Sequence, residues 1–128
     1  MKASAPAPLT AGQAARIFTG APVPAGAHAI LIQEDVGGQA HIGKLWRYSI
    51  ATGTLEIIAQ HDPARFTPGA PGFLTQDEES SGIIPMDDIL GEGWFLMDVQ
   101  AHYPQPGELV EGGQLLALRL SKDARKSK

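Results

Sequence analysis

Hydrophobic positions come in short runs, separated by glycine, proline and acidic residues. Ala29-Ile30-Leu31-Ile32-Gln33 is a continuous apolar run closed by Glu34-Asp35, which predicts a buried strand. Leu45 to Ile50 alternates and places Trp46, Tyr48 and Ile50 on one face. The turn Ala51-Thr52-Gly53-Thr54 and the run Leu55-Glu56-Ile57-Ile58-Ala59 follow, so the pair reads as a β-hairpin. His61 to Phe66 predicts a loop or a single helical turn, and Asp87 to Gly91 a turn of helix with an acidic start and a glycine stop. Trp94 to Ala101 is the strongest strand signal; Phe95, Met97, Val99 and Ala101 share one face, Trp94, Leu96, Asp98 and Gln100 the other. Its polar residues predict a strand partly buried on both faces, or one lining something polar. Gln114 to Leu120 is the last strand, with Leu116, Leu118 and Leu120 inward. Trp46, Trp94 and Phe95 are expected in the core.

Nearer the N-terminus, residues 1–13 are rich in alanine and proline and are expected to be extended or disordered at their start. Ala14 to Phe18 is a short strand candidate. Thr19 to Gly26 is turn chemistry, with Pro22 and Pro24 fixing φ and Gly20 and Gly26 opening other conformations. With the run at 29–33 this predicts an N-terminal β-arch. Gly37-Gly38 then breaks the pattern, and aromatic residues and alternating strands begin after it.

Composition supports a mainly β fold of short antiparallel strands with long loops. Gly 15 and Pro 10 in 128 residues disfavour long helices, and 43% hydrophobic residues can fill one core. The absence of cysteine removes disulfides and thiolate metal sites. A net charge of −4 provides no basic field for nucleic acid, and the basic cluster in 121–128 reads as a solvated tail. No apolar run approaches the roughly 18 residues of a membrane span, and the N-terminus lacks a secretory pattern. A cytoplasmic protein without membrane attachment is therefore expected.

Candidate chemistry gathers at Thr75-Gln76-Asp77-Glu78-Glu79-Ser80-Ser81-Gly82, the densest acidic and hydroxyl run. Adjacent carboxylates repel unless solvent or a cation separates them. Such a run is usually a solvated turn; the alternative is one edge of a hard-cation site built on Asp77, Glu78 and Glu79. His28, His41, His61 and His102 show no paired metal-ligand spacing. His61-Asp62 could pair as base and orienter, but no nucleophile is placed beside them, so the structural reading is kept. Gly37-Gly38 is not followed by Gly-Lys-Ser/Thr, so no P-loop is present.

Two resemblances add to this. Ala15-Arg16-Ile17-Phe18-Thr19-Gly20-Ala21-Pro22-Val23-Pro24-Ala25-Gly26-Ala27, with Ala29 to Asp35, resembles a segment of the MoeA molybdopterin molybdenumtransferases. Those enzymes insert molybdate into adenylylated molybdopterin with Mg²⁺. The resemblance implies Thr19 at an active-site cleft and Gly20 beside it as a contact to the cofactor. His28 departs from the family's usual acidic residue. Leu45 to Tyr48, His61 to Phe66, Thr75 to Ile84, Gly93 to Leu96, Asp98 to Tyr103 and Leu109 to Leu116 resemble the C-terminal end of PhoX-type phosphatases. Those are calcium-dependent β-propellers. That likeness implies Ca²⁺ near Asp77, Glu78 and Glu79 and a phosphate ester as substrate. Pro85 stands where such relatives have Asp.

The sequence is thus read as composite: residues 1–36 MoeA-like, 37–41 a junction, 42–120 a partial propeller-like blade, and 121–128 a polar tail. Three functions are carried forward. The leading one is a PhoX-like calcium-dependent phosphatase fragment, incomplete for catalysis alone. The alternatives are a fragment of a molybdopterin molybdenumtransferase, and a non-enzymatic β-rich interaction protein. Ligands would be a phosphate ester or molybdopterin, and open strand edges are expected to favour self-association.

Overall fold

The structure, a computed structural model, describes residues 7–10, 22–107 and 110–121. The strand expected at 14–18, with Thr19 and Gly20, lies outside the described residues, as does most of the polar tail. What is described is mainly β. In chain order it holds β1 (Ala29–Gln33), β2 (Lys44–Ser49), β3 (Leu55–Gln60), α1 (Pro63–Phe66), β4 (Glu78–Glu79), β5 (Ile83–Pro85), α2 (Asp87–Leu90), β6 (Trp94–Pro104) and β7 (Glu111–Arg119).

The first sheet has the order β1-β2-β3, antiparallel throughout. The β2–β3 hairpin forms as its sequence predicts. Gly53, at φ +69°, closes the turn by donating to Ser49 O at 2.9 Å. Gly37 and Gly38 lie in the β1–β2 connection, where both adopt positive φ, and Gly38 N donates to Gln76 O at 3.1 Å. This sheet therefore runs across the expected junction at 37–41.

The second sheet is built on β6, whose whole length pairs with β7 on one edge. Its other edge takes β5 at Phe95–Met97 and β4 at Gln100–Ala101. The strands of 42–120 are accordingly divided between two sheets rather than stacked as one propeller-like blade, because β2 bonds to β1 and leaves only β4 to β7 for the second sheet. A bridge between Asp35 and Glu79 joins the sheets, and Gln33 Nε2 reaches Gly82 O at 3.3 Å.

Both helical turns follow their sequence signals. Asp62 caps α1 by accepting from Ala64 N at 2.9 Å, with Pro63 in the first helical turn. In α2, Asp87 accepts from Gly93 N at 2.8 Å, and Gly91 at φ +94° ends the turn.

The core comprises Val36, Leu45, Phe66, Met97, Val99, Ala101 and Leu120. The buried residues of β6, Met97, Val99 and Ala101, share one face, as the alternation predicts, and Trp94, Leu96 and Asp98 on the other face are half-buried. Elsewhere the expectation fails. Trp46, Trp94 and Phe95 are only half-buried, and Leu116 is exposed while Leu118 is half-buried. On β2 the buried face is Leu45, Arg47 and Ser49, opposite to the aromatic one. Alternation determines which residues share a face; which face is covered depends on segments distant in sequence.

Candidate functional site

The acidic run enters the structure as β4, a two-residue strand, and strand alternation separates its carboxylates. Glu78 turns inward and is 1% exposed. Its Oε1 accepts from Gly43 N at 3.0 Å and lies 3.9 Å from His61 Nδ1. The His61 side chain is 8% exposed, and neither ring nitrogen has a hydrogen-bond partner in the structure. Its ring tilts against Phe66, with centroids 5.5 Å apart. Gly43 makes this approach feasible: a Cβ there would sit 3.3 Å from the His61 Cε1 and Nδ1 atoms. Close by, Glu34 accepts from Lys44 N at 2.9 Å and Trp46 Nε1 at 2.7 Å.

Burial holds His61 below the usual 6.5 of an imidazole, against the opposing pull of Glu78 and then Glu34. The folded protein therefore resists protonating a group that the unfolded chain protonates freely. Stability contributed this way is complete above pH 6.5 and declines as pH falls below it, because the unfolded state binds more protons there. Chemical unfolding between pH 5 and 8 should show this loss, and His61→Leu should flatten it. An unchanged slope in the variant would assign the pH dependence to other groups.

Glu79 faces the other way. Burial, the charge of Asp35 and a hydrogen bond shared with Asp35 raise its carboxyl above the usual range, while His102 and Ser81 oppose this. His102 accordingly lies on the same side. Its hydrogen bond to Glu111, at 3.0 Å, is the main cause of its raised proton affinity, and the charges of Glu111, Asp77 and Glu79 add to it. Asp77 is exposed; its backbone N–H is taken by Thr75 Oγ1 at 3.0 Å and its carbonyl by His102 N at 3.0 Å.

Among the described residues no three histidine, aspartate or glutamate side chains converge on a point that could hold a metal ion. Asp77, Glu78 and Glu79, proposed from sequence as one cation edge, do not share a face. Glu78 is committed to a backbone donor and the core, whereas Glu79 and Asp77 belong to the outer group. His61 meets Glu78 rather than Asp62, whose carboxylate caps α1. No spacing signal announces that His61–Glu78 pair. Asp98, flagged by sequence as a polar residue on a strand, uses its Oδ1 to accept from Gly82 N, tying β6 to the end of the acidic run.

The described residues thus form two small antiparallel sheets, which meet where a buried carboxylate faces a buried imidazole. Residues 1–69 match the family described as MoeA N-terminal region (domain I and II), and the chain belongs to that family. The match takes in β1, β2, β3 and α1 and continues through residues 37–41. Searches of curated proteins and of solved structures returned no match. Nothing in these comparisons supports the likeness of 42–120 to PhoX-type proteins, nor calcium or a propeller. Among the described residues no helix is long and apolar enough to cross a membrane.

Proposed function

We propose that the chain serves molybdenum-cofactor synthesis as a MoeA-type segment, supplying contacts to molybdopterin through Thr19 and Gly20. The observation that carries this reading is the family match over residues 1–69, which contains the whole run Ala15 to Ala27 and the β1 strand after it. The sequence chemistry agrees: a hydroxyl donor next to a glycine suits close approach to a phosphorylated pterin. Mg²⁺ would accompany the adenylylated form of that ligand as part of the substrate complex.

Isothermal titration of the full chain with molybdopterin, and separately with its adenylylated form plus Mg²⁺, tests this. Saturable binding of either is expected. Thr19→Ala should weaken it about tenfold, the scale of one hydrogen bond to a charged group. Absence of binding to both ligands would remove the proposal.

A further inference from the structure

The last strand delivers the chain to one particular place. Leu120 is buried, its N–H donates to Gly93 O at 3.0 Å, and Arg119 pairs with Trp94 beside it. Residues 122–128 therefore start from this end of the second sheet, after the exposed Ser121. α2 lies at the same end. Met86 N donates to Trp94 O at 2.8 Å, Gly93 N to Asp87 Oδ1 at 2.8 Å and Trp94 N to Gly91 O at 3.3 Å. The turn is thus fixed directly against the strand that Leu120 joins.

The surface of that turn is incompletely covered. Ile89 is 75% exposed, the highest value among the described large hydrophobic residues, and its neighbour Leu90 is exposed as well. Asp88 and Glu92 flank the pair and are exposed, whereas Asp87 is engaged with Gly93. The patch is apolar with an acidic rim. The segment that starts beside it has the complementary chemistry: Lys122, Arg125, Lys126 and Lys128 against a single acid, Asp123. Lysine and arginine side chains cover apolar surface with their stems while their charged heads stay in water.

Reach selects this patch over the other acidic surface. The segment 122–128 extends at most about 24 Å, and the α2 turn is only about 6 Å long. The acidic group around His102 lies at the far end of β6, about 30 Å along the strand from Gly93. Even a fully extended backbone does not span that distance.

We propose that residues 122–128 fold back on the α2 turn as an intramolecular clasp, covering Ile89 and Leu90 and pairing with Asp88 and Glu92. The tether makes docking intramolecular, so contacts that are individually weak suffice.

The chain has no cysteine, so Ser127→Cys carries a single nitroxide label in the otherwise complete, isotope-enriched protein. At low salt the amide signals of Ile89, Leu90 and Gly91 should be lost to paramagnetic broadening and return when the label is reduced. They should also return at about 1 M salt, where the Debye length is about 3 Å. Asp88→Lys together with Glu92→Lys should abolish the broadening with the fold intact by circular dichroism. Exchanging Lys122, Arg125, Lys126 and Lys128 for glutamate in that background should bring it back. Sharp α2 amides in the labelled chain, broadening spread evenly over the surface, or broadening indifferent to salt and to the paired lysine variant would overturn the proposal. So would broadening seen only between molecules, in a mixture of labelled and isotope-enriched chains, which would seat the segment on a second copy. The salt series remains decisive should the lysine variant fail to fold.

Discussion

Glu78→Ala is expected to destabilise the fold by about 2–4 kcal/mol, and Glu78→Gln by only about 1 kcal/mol. The carboxylate is almost completely buried, on a two-residue strand paired to β6. Its Oε1 satisfies the backbone N–H of Gly43, at the start of β2 in the other sheet. Truncation leaves that donor unpaired in a dry environment and opens a cavity beside the His61 ring, whose nitrogens have no hydrogen-bond partner to offer it. Glutamine keeps both the volume and an acceptor oxygen, so the contrast between the variants isolates the hydrogen bond and packing from the charge. Urea unfolding at pH 7.5 measures both. Equal losses for alanine and glutamine would show that the charge itself holds the site, and a negligible loss for alanine would refute the structural role.

The same residue shows why the site was only partly legible in the sequence. Three carboxylates in a row are conspicuous, and their chemistry suggests a hard cation. Their spacing, however, obeys whichever backbone they adopt. Once Glu78 and Glu79 enter a strand they must point to opposite sides. One then becomes a core acceptor and the other joins Asp35 and His102 outside. Neither partner can be read from local pattern: Gly43 lies 35 positions away from Glu78, and His61 is marked only by its place before the cap Asp62.

Local signals did better where the chemistry itself is local. Pro63 after Asp62, Gly53 in a tight turn, Gly91 after an acidic turn and the alternation at Trp94–Ala101 all occur as their sequences predict. What alternation could not supply was the division of strands between sheets, or the identity of the covered face. The aromatic face of β2 is the more apolar one, yet Ile32, Leu55 and Ile57 around it remain exposed. Val36 and Glu78, from segments distant in sequence, meet instead around Gly43 just before β2. Likewise the first strands and those of 42–60 looked compositionally distinct, but β1 and β2 pair over five positions and the family match spans both.

Arg47 is where that reversal has its largest energetic consequence. Arg47→Ala should cost about 2 kcal/mol, while Arg47→Met should stay within about 1 kcal/mol of the native protein. The residue lies on the covered face of β2 and is 6% exposed. Its Nη1 pairs with Glu56 Oε1 at 2.7 Å, across the strand pair that joins β2 to β3. Its Nη2 is buried with no hydrogen-bond partner in the structure. One half of the guanidinium is thus stabilised, and the other half has lost water without replacement. Glu56 is half-exposed, so solvent screens the pair and its charge interaction is modest. The aliphatic stem, packed on the same face as Leu45, accounts for most of the residue's contribution. Alanine forfeits that burial. Methionine keeps it and removes a partly unsatisfied charge, which in buried ion pairs is frequently neutral or favourable. Guanidinium unfolding of the native chain and the two variants decides between packing and charge. A methionine variant as unstable as the alanine one would mean that the ion pair, not the stem, secures this face of the sheet.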